Sequence, residues 1–66
     1  MYRFKKELFT NIKINQSKMA KEIGLSFQYV NGVINNRFNC RKLVAYAMTK
    51  LINSNAEIKD FFEEAR

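Results

Sequence analysis

The chain has 66 residues, 47% of them apolar, and a formal net charge of +6. That length allows one domain with one small core, and that apolar fraction is too high for a disordered tail. With no His and a single Cys, Cys40, there is no partner for a disulfide, no cysteine-rich zinc site and no visible base beside a thiol nucleophile, so a non-enzymatic protein with no cofactor and no metal is expected.

No apolar run approaches the ~20 residues of a membrane span. The opening Met1-Tyr2-Arg3-Phe4-Lys5-Lys6-Glu7 alternates charge with aromatics and leads into no cleavage site. The expectation is a cytoplasmic protein with no membrane partner and no small-molecule ligand.

In chain order the periodicity predicts five short helices, an all-α bundle forming a single domain over 1–66. The first runs from Tyr2 to about Ile12, with Phe4, Leu8 and Ile12 on one face. Asn15 caps a second from Gln16 to Ile23, which turns Met19, Ala20 and Ile23 inward and stops at Gly24. Ser26 caps a third from Phe27 to about Asn35, with Val30, Val33 and Ile34 as its stripe. Asn35-Asn36 ends it, because Asn tolerates the left-handed conformation. A fourth runs from about Cys40 to Ile52, with Leu43, Val44, Ala47, Met48 and Leu51 inward; Tyr46 and Met48 read as core. Ser54-Asn55-Ala56-Glu57 has the form of a capping box and opens a fifth helix through Ile58, Phe61 and Phe62.

Charge is unevenly spread. Residues 1–42 carry nine Lys/Arg against Glu7 and Glu22, and no Asp or Glu lies between Glu22 and Glu57. A solvated surface normally mixes both signs, so a long acid-free stretch with Arg37, Arg41, Lys42 and Lys50 points to a surface facing a polyanion. The helix starts agree. The second helix has Lys18 in its first turn and the fourth has Arg41 and Lys42, where the helix dipole prefers acids. An outside phosphate shared by free N–H groups and cations accounts for that placement.

The segment Gln16 to Asn35 meets the demands of two helices crossing through a tight turn. Its fifth residue is the small Ala20 and its ninth is Gly24. Met19, Ile23, Leu25, Val30 and Val33 fill the packing positions, and no charge falls among them. With Asn15-Gln16 before it and Asn35-Asn36-Arg37 after it, this segment resembles the helix-turn-helix of the phage lambda repressor/Cro-like (XRE) family. The resemblance covers almost the whole chain and makes 16–35 its helix-turn-helix core. Three positions depart from the family pattern. Asn36 replaces the usual Gly, Phe9 stands where many members carry a basic residue, and Gly32 lies within the reading helix.

The resemblance implies a sequence-specific double-stranded DNA-binding regulator of phage or mobile-element repressor kind, with the third helix in the major groove. By position it assigns Ser26, Phe27, Gln28, Asn31, Gly32 and Asn35 to base reading. Gln28 and Asn31 lead, because an amide pairs in two places with adenine. Phe27 either meets a thymine methyl or packs against Leu25 or the fourth helix. Gly32 either allows close approach to DNA or leaves reading to its neighbours. Gln16, Ser17, Lys18, Arg37, Arg41 and Lys42 fall to phosphate contact. Tyr29 joins them through its hydroxyl, or else packs against the second helix.

Two further expectations follow. Neighbouring residues on a helix diverge by ~100°, so one of Phe61 and Phe62 should stay near the surface. That makes Ile58, Phe61 and Phe62 the interface of a homodimer through the C-terminal helix, the alternative being a monomer with both rings folded inward. A protein-binding antirepressor or inhibitor on the same scaffold is the competing function; exposed Phe27 and Tyr29 suit it, and the acid-free stretch argues against it.

Overall fold

The computed structural model of the protein describes residues 1–8 and 14–65. Its element order is β1 (Tyr2–Phe4), a 3-10 turn (Lys6–Leu8), α1 (Gln16–Ile23), α2 (Phe27–Ile34), α3 (Lys42–Ile52), α4 (Ile58–Phe61) and β2 (Phe62–Glu64). The described residues are thus mostly helical, with four α-helices where five were expected and a two-stranded sheet that was not.

The first expected helix is corrected at its start. Tyr2-Arg3-Phe4 is extended and pairs antiparallel with β2, setting Tyr2 opposite Glu64, Arg3 opposite Glu63 and Phe4 opposite Phe62. Lys6–Leu8 form a 3-10 turn in place of the middle of that expected helix, and its last part, with Phe9 and Ile12, lies outside the described residues. Alternation within β1 gives the physical reason. Phe4 points into the core, while Arg3 reaches outward to the carboxylates of Glu63 and Glu7. A hydrogen bond from its own backbone N–H, then Arg3, hold the Glu7 carboxyl below its ordinary value. The other edge of β1 is also paired, since Tyr2 N–H donates to the Cys40 carbonyl at 2.7 Å and Cys40 N–H returns a bond at 2.9 Å.

α1 and α2 form where the caps predict. Asn15 Oδ1 accepts from Lys18 N–H at 3.0 Å and Ser26 Oγ from Tyr29 N–H at 3.1 Å, each satisfying one orphan donor of a first turn. Both helices close on a left-handed residue, Gly24 at φ 84° and Asn36 at φ 63°. After α2, Arg37 N–H donates to the Gly32 carbonyl at 2.7 Å and Asn36 N–H to that of Val33 at 3.1 Å, the paired closure of a Schellman motif. Oriented to satisfy both ends, the Asn36 amide donates to the Phe4 carbonyl at 2.9 Å and accepts from Arg3 Nη1 at 3.0 Å. The turn after α2 is thereby tied to β1.

α3 begins at Lys42 rather than Cys40, because Cys40 is taken by the bridge to Tyr2. It buries Ala45, Met48 and Thr49, with Val44 and Ile52 packed beside them, a spacing of i, i+3, i+4, i+7. The expected stripe is corrected on one side: Leu43 is 84% exposed and Leu51 42%, and Tyr46 also faces out. The fifth expected helix shrinks to the single turn α4. Asp60 Oδ2 accepts from Glu57 N–H at 2.8 Å, so the cap forms at Glu57, three residues after Ser54. At Phe62 the backbone turns extended, and a strand replaces the rest of the helix.

Phe4 and Phe62 meet edge to face, ring centroids 5.3 Å apart, at the centre of a core completed by Val30, Val33, Cys40 and Met48. Truncating a buried Phe removes ~3–5 kcal/mol, and a chain this short holds only roughly 3–10 kcal/mol in total. Phe62→Ala is therefore expected to be largely unfolded at 37 °C by circular dichroism; a melt within a few degrees of the parent refutes the central role of the clasp.

Burial pushes the Cys40 thiol up to about 11. The folded chain holds that proton more tightly than the unfolded one, so this contribution to stability is complete below the ordinary thiol value of roughly 8.5 and is lost as pH rises toward the folded value. Alkylation by iodoacetamide at pH 8 is expected to track global unfolding. Rapid labelling of the native protein would contradict the burial.

Candidate nucleic-acid interface

α2 turns Val30, Val33 and Ile34 into the core, which leaves Gln28, Asn31 and Asn35 on the opposite side. Gln28 is exposed, and its amide has no hydrogen-bond partner among the described residues. Asn31 is half-buried, and its Nδ2 donates to Gln16 Oε1 at 2.8 Å. The first residue of α1 thus holds the middle of α2, leaving Asn31 its Oδ1 and a second amide hydrogen. The Asn35 amide folds back onto its own helix, donating to the Asn31 carbonyl at 2.9 Å. Ser26 accepts the capping bond and keeps its hydroxyl proton to donate. Phe27 is 50% exposed, so of its two expected environments the buried one is not adopted in full.

Gly32 is a correction. It was expected to face outward, yet it is buried, and a Cβ at this position would fall against Cδ2 and Cε2 of the Phe38 ring. Its lack of a side chain makes room for that ring and gives Gly32 itself no atom with which to read a base. Tyr29 has a partner that neither expectation included: its half-buried ring packs beside the core and stacks on Phe38, centroids 6.0 Å apart and planes 9° from parallel. Phe38 is a residue that the sequence reading did not single out. The available signal was a glycine at a helix position with a large aromatic six residues later.

The cations are placed differently: Lys5 donates to the Lys59 carbonyl and Lys50 to those of Ser54 and Ala56. Arg3 is held by Glu7 and Glu63, and Lys59 by Glu57. Lys18, Arg37 and Arg41 are exposed and enter no ion pair among the described residues. Ser17 is exposed beside Lys18 in the first turn of α1. Arg41 is the N-cap of α3, but its side chain makes no capping bond, so the first N–H groups of α3 lack a side-chain acceptor there. Lys42 stands apart. It borders an open groove of about 550 Å³ beside the C-terminal segment, where Lys5 and Lys59 stand with Glu57, Glu63 and Glu64 in a lining of mixed charge. The structure therefore joins Gln16 to Asn31, and Tyr29 to Phe38, and places Lys42 beside the C-terminal segment.

The expected dimer surface loses its premise. Phe61 and Phe62 are both buried and Ile58 is half-buried. Neighbours that diverge on a helix both point inward here, because one ends a helical turn and the other starts a strand. Among the described residues no group of three or more His, Cys, Asp or Glu is placed to hold a metal ion, and no helix is long and apolar enough to cross a membrane.

Removing either partner of the Gln16–Asn31 bond is expected to destabilise the fold by ~0.5–1.5 kcal/mol, the net value of a typical internal hydrogen bond. A double-mutant cycle with Gln16→Ala and Asn31→Ala, read by urea denaturation, should return a coupling of that size. Strict additivity would show that the bond contributes nothing.

No family model, no curated protein and no solved structure matches the chain.

Proposed function

We propose that the chain is a sequence-specific double-stranded DNA-binding regulator of repressor or Cro-like kind and that it catalyses no reaction. In this reading α1 and α2 form a helix-turn-helix, and α2 lies in the major groove. The observation that carries it is the outer face of α2. There Gln28 offers an unpartnered amide, and Asn31 is aimed by its bond to Gln16. An amide that presents donor and acceptor side by side fits the N6 and N7 edge of adenine.

Electrostatics supports the same reading. Glu63 pairs with Arg3 and Glu57 with Lys59, while Lys18, Arg37 and Arg41 enter no ion pair among the described residues. Arg41 stands beside the free N–H groups at the start of α3, an arrangement that favours a phosphate.

Binding to random duplex is expected at about 10⁻⁴–10⁻⁶ M near physiological salt. With about four to six phosphates neutralised, the log–log salt slope should be roughly −4 to −5. On the best duplex recovered from a random pool, Gln28→Ala should weaken binding by ~1–3 kcal/mol and relax preference at one or two base pairs. Arg41→Ala should instead weaken specific and random duplexes alike and flatten the slope by about one. Binding indifferent to salt would transfer this surface to a protein partner.

A further inference from the structure

The helical wheel of α2 puts position 32 next to Gln28 on the outer face, opposite Val30 and Ile34. A side chain would normally stand there. Gly32 supplies none, and the ring of Phe38 occupies the space, pressed so close that a Cβ at position 32 would meet it. The ring is fixed in that place. It stacks on Tyr29 at 6.0 Å, and the backbone that carries it is closed onto α2 through bonds from Arg37 and Phe38 N–H to the Gly32 carbonyl at 2.7 and 3.3 Å. Asn36, tied to Phe4 and Arg3, holds the turn from the other side. Yet Phe38 remains 48% exposed. The ring covers a glycine with one surface and keeps the other open to solvent.

We infer that Phe38 is a base-contacting residue: its ring replaces the missing side chain at position 32 on the reading face and recognises the methyl group of a thymine in the major groove. The inference rests on the DNA-binding reading proposed above. Its chemistry is apolar, since an aromatic edge and the thymine C5-methyl both gain by leaving water. The ring lies over Gly32 and against Tyr29, so it adds an apolar element to the helix that carries the Gln28 and Asn31 amides. Phe38 would therefore determine specificity from outside the helix, at a position where the helix alone presents bare backbone.

Two measurements on the full chain test this. Random duplex carrying 5-bromouracil in place of thymine is irradiated with the protein, and the cross-linked peptide is mapped. The best duplex from a random-pool selection is then remade with each thymine replaced singly by deoxyuridine, which lacks the methyl. Phe38 should carry a cross-link. Loss of one methyl should weaken the parent about fourfold, the effect of burying a single carbon, while leaving Phe38→Ala indifferent at that base pair. Phe38→Leu should keep part of the dependence. Because Phe38→Ala may also loosen the turn, Gly32→Ala serves as the second variant. It keeps the phenylalanine in the chain, displaces the ring and lets α2 remain helical, and it should lose the same methyl dependence. Salt-dependent binding with no cross-link at Phe38, or with identical thymine preferences in the parent and both alanine variants, overturns the inference and leaves the DNA reading standing. Absence of salt-dependent binding to any duplex overturns both.

Discussion

The edge-to-face contact of Phe4 with Phe62 is the constraint on which the remaining geometry depends. It joins the two ends of the described chain, and the strand that carries Phe4 is paired on both edges, with β2 on one side and Cys40 on the other. Through that strand the C-terminal segment acts on the turn after α2. The Phe4 carbonyl receives the Asn36 amide, and Arg3 meets both Asn36 and Glu63. The chain from Asn35 to Arg41 therefore hangs between the end of α2 and the middle of β1. A 66-residue chain buries little, and here it spends its largest apolar side chains on this clasp rather than on a helical bundle.

The clasp also sorts the charges. Glu7 and Glu63 are gathered around Arg3, and Glu57 and Asp60 around the short turn of α4. Acids that would otherwise neutralise the basic half of the molecule are held where the strands meet. The cations of α1 and of the segment between α2 and α3 are left facing solvent. Coulomb interactions at the surface are weak pair by pair, but cations left without counter-ions sum into a field that a polyanion feels at a Debye length of ~8–10 Å. A sequence whose net charge alone says little thus acquires direction through folding.

Legibility in the sequence follows the range of the interaction. α1 and α2 could be read because their ends are set locally, by Asn15, Ser26, Gly24 and Asn36, each acting within a few residues. β1 could not, because Phe4, Leu8 and Ile12 stand at a spacing compatible with a helix, and the partners of Arg3 and Phe4 in β2 lie some sixty residues away. α3 was placed but turned the wrong way on one side. It is apolar nearly all round, so periodicity offers Leu43-Ala47-Leu51 and Val44-Met48-Ile52 equally, and only the neighbouring elements choose the second. The adjacent rings of Phe61 and Phe62 misled for a related reason. A helical wheel separates them, whereas a helix ending between them turns both inward.

The same distinction of range divides the candidate interface. The bond from Asn31 to Gln16, fifteen residues away, was not expected, but the outward placement of Gln28 and Asn31 on α2 follows from local periodicity and was legible. The loop part of the interface was not. Gly32 looks like a defect in α2 until Phe38 is placed above it, and Phe38 is placed by a turn that β1 holds from outside. A glycine inside a helix weakens it by ~1 kcal/mol relative to alanine; at position 32 the loss is offset by the stacked contact of Phe38 with Tyr29, which an alanine would push away. The helix gives up local stability so that the loop can pack upon it. The face that results is set jointly by α2 and by the clasp at the far ends of the chain, so a change in the clasp reaches the interface through Asn36 without touching any residue of α2.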